Sequence, residues 1–195
     1  MSRYWLLIYC IVVLSACKKD MRMFGADVKQ TLLEYGQQNP ENTIEVSTRV
    51  GNFTIRLYQE TPLHRANFIR LVKAGYYNDF YFYRNIYATG IQGGAEWMDR
   101  LDYDIPTEVD TNRFKHKRGA VAMAQYDPSM NPNNDTSASE FYIITNAEEA
   151  RKYDGIYTVV GEVIQGMDVV DKIKDARAFN EKPADPVKFS MKVVP

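Results

Sequence analysis

Apolar and polar positions alternate along the chain from Thr43. In "TIEVSTRVGNFTIRLYQE", Ile44, Val46 and Thr48 fall on one face, Gly51-Asn52 breaks the run, and Phe53, Ile55 and Leu57 resume it. That pattern predicts a β-hairpin. The period then changes in "TPLHRANFIRLVKAGYY". Thr61 suits an N-cap and Pro62 the first helical position; Leu63, Phe68, Leu71 and Val72 make an apolar stripe, and Gly75 ends the helix. Further short strands are predicted near 81–86, 90–93, 119–125, 140–145, 157–164 and 187–194, with helical stretches over 146–153 and 166–176. Many short strands with two or three helices favour a closed barrel with helical caps over alternating βα units. "QYDPSMNPNNDTSASE" (Gln125–Glu140) reads as a long solvated loop.

Ahead of the barrel the pattern is of another kind. "MSRYWLLIYCIVVLSACKK" has one positive charge, an apolar run from Tyr4 to Val13, then "LSAC". The run is too short to span a bilayer and fits the centre of a secretory signal peptide. "LSAC" resembles the lipobox of bacterial lipoproteins, in which the cysteine, here Cys17, carries diacylglycerol. The reading is a leader over 1–16, a lipidated tether over 17–42 and one domain over 43–195. The tether is expected to hold one or two loosely docked helical turns near Val28–Tyr35. The expected location is the cell envelope, held to the membrane by the lipid. Lys18 after the cysteine favours the outer membrane or the periplasmic face over the inner membrane.

Composition narrows the chemistry. Of two cysteines, Cys10 leaves with the leader and Cys17 takes lipid, so no disulfide, thiol nucleophile or cysteine zinc site is expected. Lys and Arg number 24 against 25 Asp and Glu. "FKHKR" (Phe114–Arg118), the one basic cluster, reads as a solvated turn, and no nucleic-acid partner is expected. The two histidines, His64 and His116, have no partner at metal-ligand spacing and read as surface residues. No nucleophile elbow, phosphate loop or dinucleotide fingerprint appears, so no metal and no cofactor is expected.

One reaction suits so bare a toolkit. Rotation about an X–Pro amide breaks no covalent bond, and its barrier of roughly 18–20 kcal/mol comes from the partial double bond. A donor aimed at the proline nitrogen localises its lone pair, and an apolar hollow keeps water away. "FYFYRNIYATGIQGG" sets Arg84 on an aromatic, strand-like run with Gln92 shortly after it.

Those residues carry a resemblance. "TPLHRANFIRLVKAGYYNDFYFYR", "IQGG", "RGAVAMAQ", "SEFYI" and "YTVVGEVIQGMDVVDKI" occur in the order found in cyclophilin-type peptidyl-prolyl isomerases, across nearly all of 43–195. The resemblance implies a mainly β fold, a closed antiparallel eight-stranded barrel capped by two helices, with a groove on its outside. It implies Arg84 as the catalytic donor and Gln92 as a holder of substrate backbone or of Arg84. Met123, Ala124 and Gln125 would line the groove, the backbone of the last two binding an extended peptide. Tyr142 would floor the proline pocket, Tyr153 close it from the side, and Tyr157 stand where many members have histidine or tyrosine. Proline-containing polypeptides are the implied partners, met by a monomer.

The chain departs from the family at four places, one of them a loop over 126–138 that is longer than usual. Thr89 and Gly90 fall where an aromatic and a methionine are usual, leaving part of the apolar wall to Tyr87 or a loop residue. Glu140 replaces a glutamine and is expected beside Arg84, as its ion-pair partner. Lys152 falls near a tryptophan position. Two functions follow: an isomerase assisting the folding of exported proteins, or a weakly active or inactive cyclophilin-like binding and chaperone module.

Overall fold

The computed structural model describes residues 21–23, 27–96, 100–127 and 129–195. The leader and Cys17 lie outside the described residues. The strands are β1 (Thr43–Thr48), β2 (Gly51–Leu57), β3 (Tyr81–Ile86), β4 (Gly90–Gly94), β5 (Asp104–Ile105), β6 (Ala120–Gln125), β7 (Thr136–Ile144), β8 (Val159–Gln165), β9 (Ala178–Phe179), β10 (Lys182–Pro183) and β11 (Val187–Val194). Eight of them follow the order β4-β3-β11-β1-β2-β8-β6-β7, and β7 pairs back onto β4, so the ring closes. Every pairing is antiparallel. β5 adds at the end of β7, and β9 and β10 form a separate hairpin. Closure pairs the eight strands on both sides over most of their length, which leaves little open edge to template aggregation.

Alternation decides the inside. Ile44, Val46, Phe53, Ile55, Phe82, Ile91, Phe141 and Phe189 are buried in one core. Phe82 packs at 4.8 Å from Phe189 and edge-on at 6.1 Å from Phe141. The predicted hairpin is β1–β2, with its turn at Arg49–Val50 and Gly51 already paired to Thr48. β7 starts at Thr136, and Thr136 to Ala138 are buried, so the last residues of the expected loop are strand. Polar Thr and Ser side chains at 136, 137 and 139 hid it.

Among the described residues four α-helices accompany the barrel: α1 (Val28–Gln38), α2 (Pro62–Lys73), α3 (Ala147–Ala150) and α4 (Met167–Lys174). α2 packs on β7 and β11, and α4 on β2 and β4. Thr61 precedes α2 as expected, but its hydroxyl donates to Tyr58 O. The first helical amides, of Leu63 and His64, instead donate to the Glu108 carboxylate at 3.1 Å each. Gly75, at φ 69°, closes the helix: Tyr76 N–H donates to Leu71 O and Gly75 N–H to Val72 O, a Schellman pair that a side chain at Gly75 would strain.

The segment expected as a loose tether is docked. α1 has 11 residues, Asp27 caps it by accepting from Gln30 N–H, and Leu32 is fully buried. It covers the outer face of α2, which is why α2 is buried nearly all round rather than along one stripe. A Cβ on Gly36 would lie 3.1 Å from Ala66 Cβ, so the missing side chain sets the approach. Arg65 then crosses the C-terminal end of α1 and donates to the carbonyls of Gly36, Asn39 and Glu41. A cation at that end also complements the helix dipole. Met21 and Met23 are buried, and Met21 O accepts from Arg70.

Candidate functional site

A strictly alternating β3 would send Arg84 into the core with Phe82. The register instead runs Phe82↔Gly93 and then Arg84↔Gln92, so Tyr83 is an extra residue. That bulge shifts the phase by one and puts Arg84 outside, opposite Gln92. Gly93, facing inward, has no room for a side chain: its Cβ would lie 2.9 Å from the Phe82 ring. The arginine on an aromatic strand is therefore not a buried charge; its side chain is 46% exposed.

Next to it lies a hollow of about 180 Å³. Arg84 and Ile86 from β3, Gln92 from β4, Ala124 and Gln125 from β6, and Tyr142 from β7 line it, with Tyr153 and Tyr157 completing the wall. The three tyrosine rings meet edge to face, Tyr142–Tyr157 at 5.9 Å, Tyr142–Tyr153 at 6.0 Å and Tyr153–Tyr157 at 5.4 Å. The β6–β7 register breaks between Met123 and Gln125 and skips Ala124, so Ala124 has no paired residue on β7 at the hollow.

Seven of the nine residues expected at the site meet here; two stand elsewhere. Met123 pairs with Phe141 and points into the barrel, 1% exposed, because alternation places it on the opposite face from Ala124. Glu140 sits behind the wall and does not take Arg84. Its Oε2 accepts from Tyr83 Oη at 3.0 Å and from Gln92 Nε2 at 3.1 Å. Burial raises the Glu140 pKa, against the lowering effect of those two donors. Thr89 and Gly90 are buried in the β3–β4 turn; a Cβ at Gly90 would overlap Ile143 O. Tyr87 is 82% exposed and does not fill the wall; Ile86 does.

The carboxylate on Arg84 is Glu181, a residue sequence reasoning missed. Arg84 Nε donates to Glu181 Oε2 at 2.7 Å, and NH2 lies 2.7 Å from the same oxygen. Arg84 NH1 donates to Gln92 Oε1 at 3.1 Å. The Gln92 amide is oriented by what it joins, its oxygen to the guanidinium and its nitrogen to Tyr83 and Glu140. Of five guanidinium N–H groups, one on each terminal nitrogen is left for a ligand.

The tyrosine floor has a buried support. Tyr142 Oη lies 3.0 Å from His116 Nε2, and His116 Nδ1 lies 2.8 Å from Asp154 Oδ1, which also accepts His116 N–H. A carboxylate on Nδ1 fixes that nitrogen as the donor, so Nε2 accepts from the tyrosine hydroxyl. Burial lowers the His116 pKa, against the raising effect of Asp154, and so favours the neutral ring at neutral pH. His64 is the second buried histidine, held between Glu108 at 2.6 Å and Thr136 Oγ1 at 2.7 Å. Neither is the surface residue expected, because each finds its acid far along the chain. The basic turn keeps Lys115, Lys117 and Arg118 outside. Among the described residues no group of three or more metal-ligating side chains occurs.

Residues 43–193 match the family of cyclophilin type peptidyl-prolyl cis-trans isomerases. A peptidyl-prolyl cis-trans isomerase of Acinetobacter baylyi is 34% identical over 158 residues, 75% of this chain and 81% of its own length. A peptidyl-prolyl cis-trans isomerase-like 2 of Rhizopus delemar is 33% identical over 147 residues; the match spans 72% of this chain and only 26% of that protein. Among solved structures, a Cryptosporidium parvum cyclophilin type isomerase, crystallised in the presence of the dipeptide Ala-Pro, superposes with a TM-score of 0.66 at 23% identity. It covers 78% of this chain and 99% of its own.

Proposed function

This chain belongs to the cyclophilin type peptidyl-prolyl cis-trans isomerases, and on that premise we propose that it speeds X–Pro isomerisation in exported polypeptides, held by lipid at the cell envelope. The observation that carries the catalytic part is the pairing of Arg84 and Gln92 on the rim of a hollow walled by Ile86 and three tyrosines. The proline ring enters the hollow and the preceding chain runs along the Ala124 backbone in extended form. As the C–N bond twists, amide resonance is lost and the lone pair localises on nitrogen. A remaining Arg84 N–H donates to that nitrogen and lowers the barrier, each ~1.4 kcal/mol giving tenfold in rate. Uncatalysed isomerisation takes ~10–100 s, slow enough to limit the folding of a newly exported chain.

The anchor reading rests on Leu14-Ser-Ala-Cys17. Met21 is already buried in the domain, four residues later. Four extended residues reach about 14 Å, so a lipidated Cys17 keeps the domain against the membrane surface rather than on a long leash. No helix of the described residues is long and apolar enough to cross a membrane. The test is fatty-acid labelling in cells: label on the wild-type chain and none on Cys17→Ser, which moves to the soluble fraction. A Cys17→Ser chain that still partitions with membranes refutes the anchor.

A binding module with little catalysis is the second reading, favoured by one observation: Glu181 already sits on the Arg84 guanidinium. A turnover assay on X–Pro peptides separates the two readings.

A further inference from the structure

β3 has a neighbour on one side only beyond Phe82. β4 pairs along its length, but β11 pairs just with Tyr81 and Phe82. The β9–β10 hairpin covers the bare edge, and Glu181 makes the contacts. Asn85 N–H donates to Glu181 O and Tyr87 N–H to Glu181 Oε1, each at 2.7 Å. Asn85 Nδ2 also donates to Lys174 O at 3.0 Å, which ties the end of α4 to the same strand. Glu181 therefore clamps the strand that carries Arg84 and, through Oε2, the guanidinium itself.

The hairpin turn holds the acid at a strained position. Asn180 and Glu181 have φ of 48° and 65°, the paired left-handed conformation of a tight hairpin turn. Glycine fits the second position without strain, and glutamate does not. Strained residues of this kind gather where the surroundings and the task require them. The strain here delivers a carboxylate to the Nε edge of Arg84.

Resting on the isomerase reading above, we propose that Glu181 is a positioning residue of the isomerase site. Its carboxylate takes the Nε edge of Arg84, Gln92 takes NH1 from the other side, and the remaining terminal N–H groups are fixed toward the prolyl nitrogen. A guanidinium held before the substrate arrives need not be ordered at the moment of rotation. Glu181 thus raises the rate rather than blocking the site, although it lies on the catalytic cation.

The experiment uses the full chain and a short X–Pro peptide. Exchange NMR separates kcat from KM, and the Arg84 Nε–H resonance reports the clamp directly. Glu181→Gln can offer its one oxygen to Tyr87 N–H or to Arg84, not to both. The expected result is a roughly tenfold lower kcat, KM within twofold, and loss of the downfield Arg84 Nε–H signal. Glu181→Asp, which keeps the carboxylate, recovers part of the loss. In an Arg84→Lys background, which has no Nε edge, Glu181→Gln has little further effect. A Glu181→Gln chain with lowered Tm but unchanged kcat and unchanged Arg84 signal overturns the proposal, as does a raised kcat. A wild-type chain without turnover sinks the isomerase reading, and with it any rate role for Glu181; an intact Arg84 Nε–H signal there shows that the clamp itself stands.

Discussion

Replacing Tyr142 by Phe removes one oxygen and tests the support behind the pocket. The ring that walls the hollow stays. The hydroxyl lies 3.0 Å from His116 Nε2, both residues are buried, and Asp154 has already fixed His116 as an acceptor on that side. The substitution leaves Nε2 buried without a donor, a loss of about 1–3 kcal/mol for an unmet buried group. Part is returned because a hydroxyl no longer has to be desolvated, so the net loss is about 1–2 kcal/mol. For a chain of this size each kcal/mol moves Tm by about 2–4 °C, so calorimetry at neutral pH should show a fall of roughly 2–8 °C. The hydroxyl bonds inward and not to the hollow, so kcat/KM on an X–Pro peptide should stay within twofold. An unchanged Tm would show that the His116 hydrogen bond carries nothing. A tenfold loss of kcat/KM at unchanged Tm would show that the hydroxyl meets substrate.

Three further outcomes follow from the packing. Leu32→Ala should cost about 2–5 kcal/mol in urea unfolding, because its side chain is fully buried between α1 and the domain; a cost under ~0.5 kcal/mol would mean that α1 is the loose tether after all. Glu108→Ala should destabilise by about 2–4 kcal/mol, through loss of the α2 cap and of the partner of buried His64, and Thr61→Ala by less, since Thr61 does not cap; the reverse ranking would refute the cap assignment. His116 has a folded pKa below its ordinary 6.5, through burial and against the pull of Asp154. The unfolded chain therefore binds the proton first, and stability should fall as pH drops below about 6.5, less steeply in His116→Gln. Asp154, whose pKa is lowered despite burial by its bonds from His116, adds its own loss only at lower pH, below its ordinary 3.8.

Much of the barrel was legible because its strands obey a two-residue period. Ile44, Val46, Phe53 and Ile55 alternate without exception, and the hairpin, α2 and most strand positions followed. The exceptions lie where a local irregularity or a distant partner decides. Nothing in "FYFYRN" marks Tyr83 as the bulged residue that turns Arg84 outward. "VKQTLLEYGQQ" offers few apolar residues, and nothing in it marks Gly36 as the position where Ala66 needs the space. Met123 looked like groove and is core because alternation puts it on the inward face with Val121, opposite Ala124. The burial of His64 and His116 depends on acids 44 and 38 residues away. Glu181 lies 97 residues from Arg84 on a hairpin with no hydrophobic period, and its only trace was an Asn-Glu pair at a turn. Polar contacts between distant segments leave no periodic signal.

The central claim is that Arg84, held outside the barrel beside the tyrosine-walled hollow, lowers the barrier to rotation about X–Pro bonds. Exchange NMR on a short X–Pro peptide with catalytic amounts of the full chain tests it, wild type against Arg84→Ala. The account predicts cis–trans exchange well above the uncatalysed rate for the wild type and a loss of about 100-fold or more in Arg84→Ala, the scale of one preorganised donor, with Tm little changed because Arg84 is half exposed. Equal exchange rates for the two proteins would contradict it.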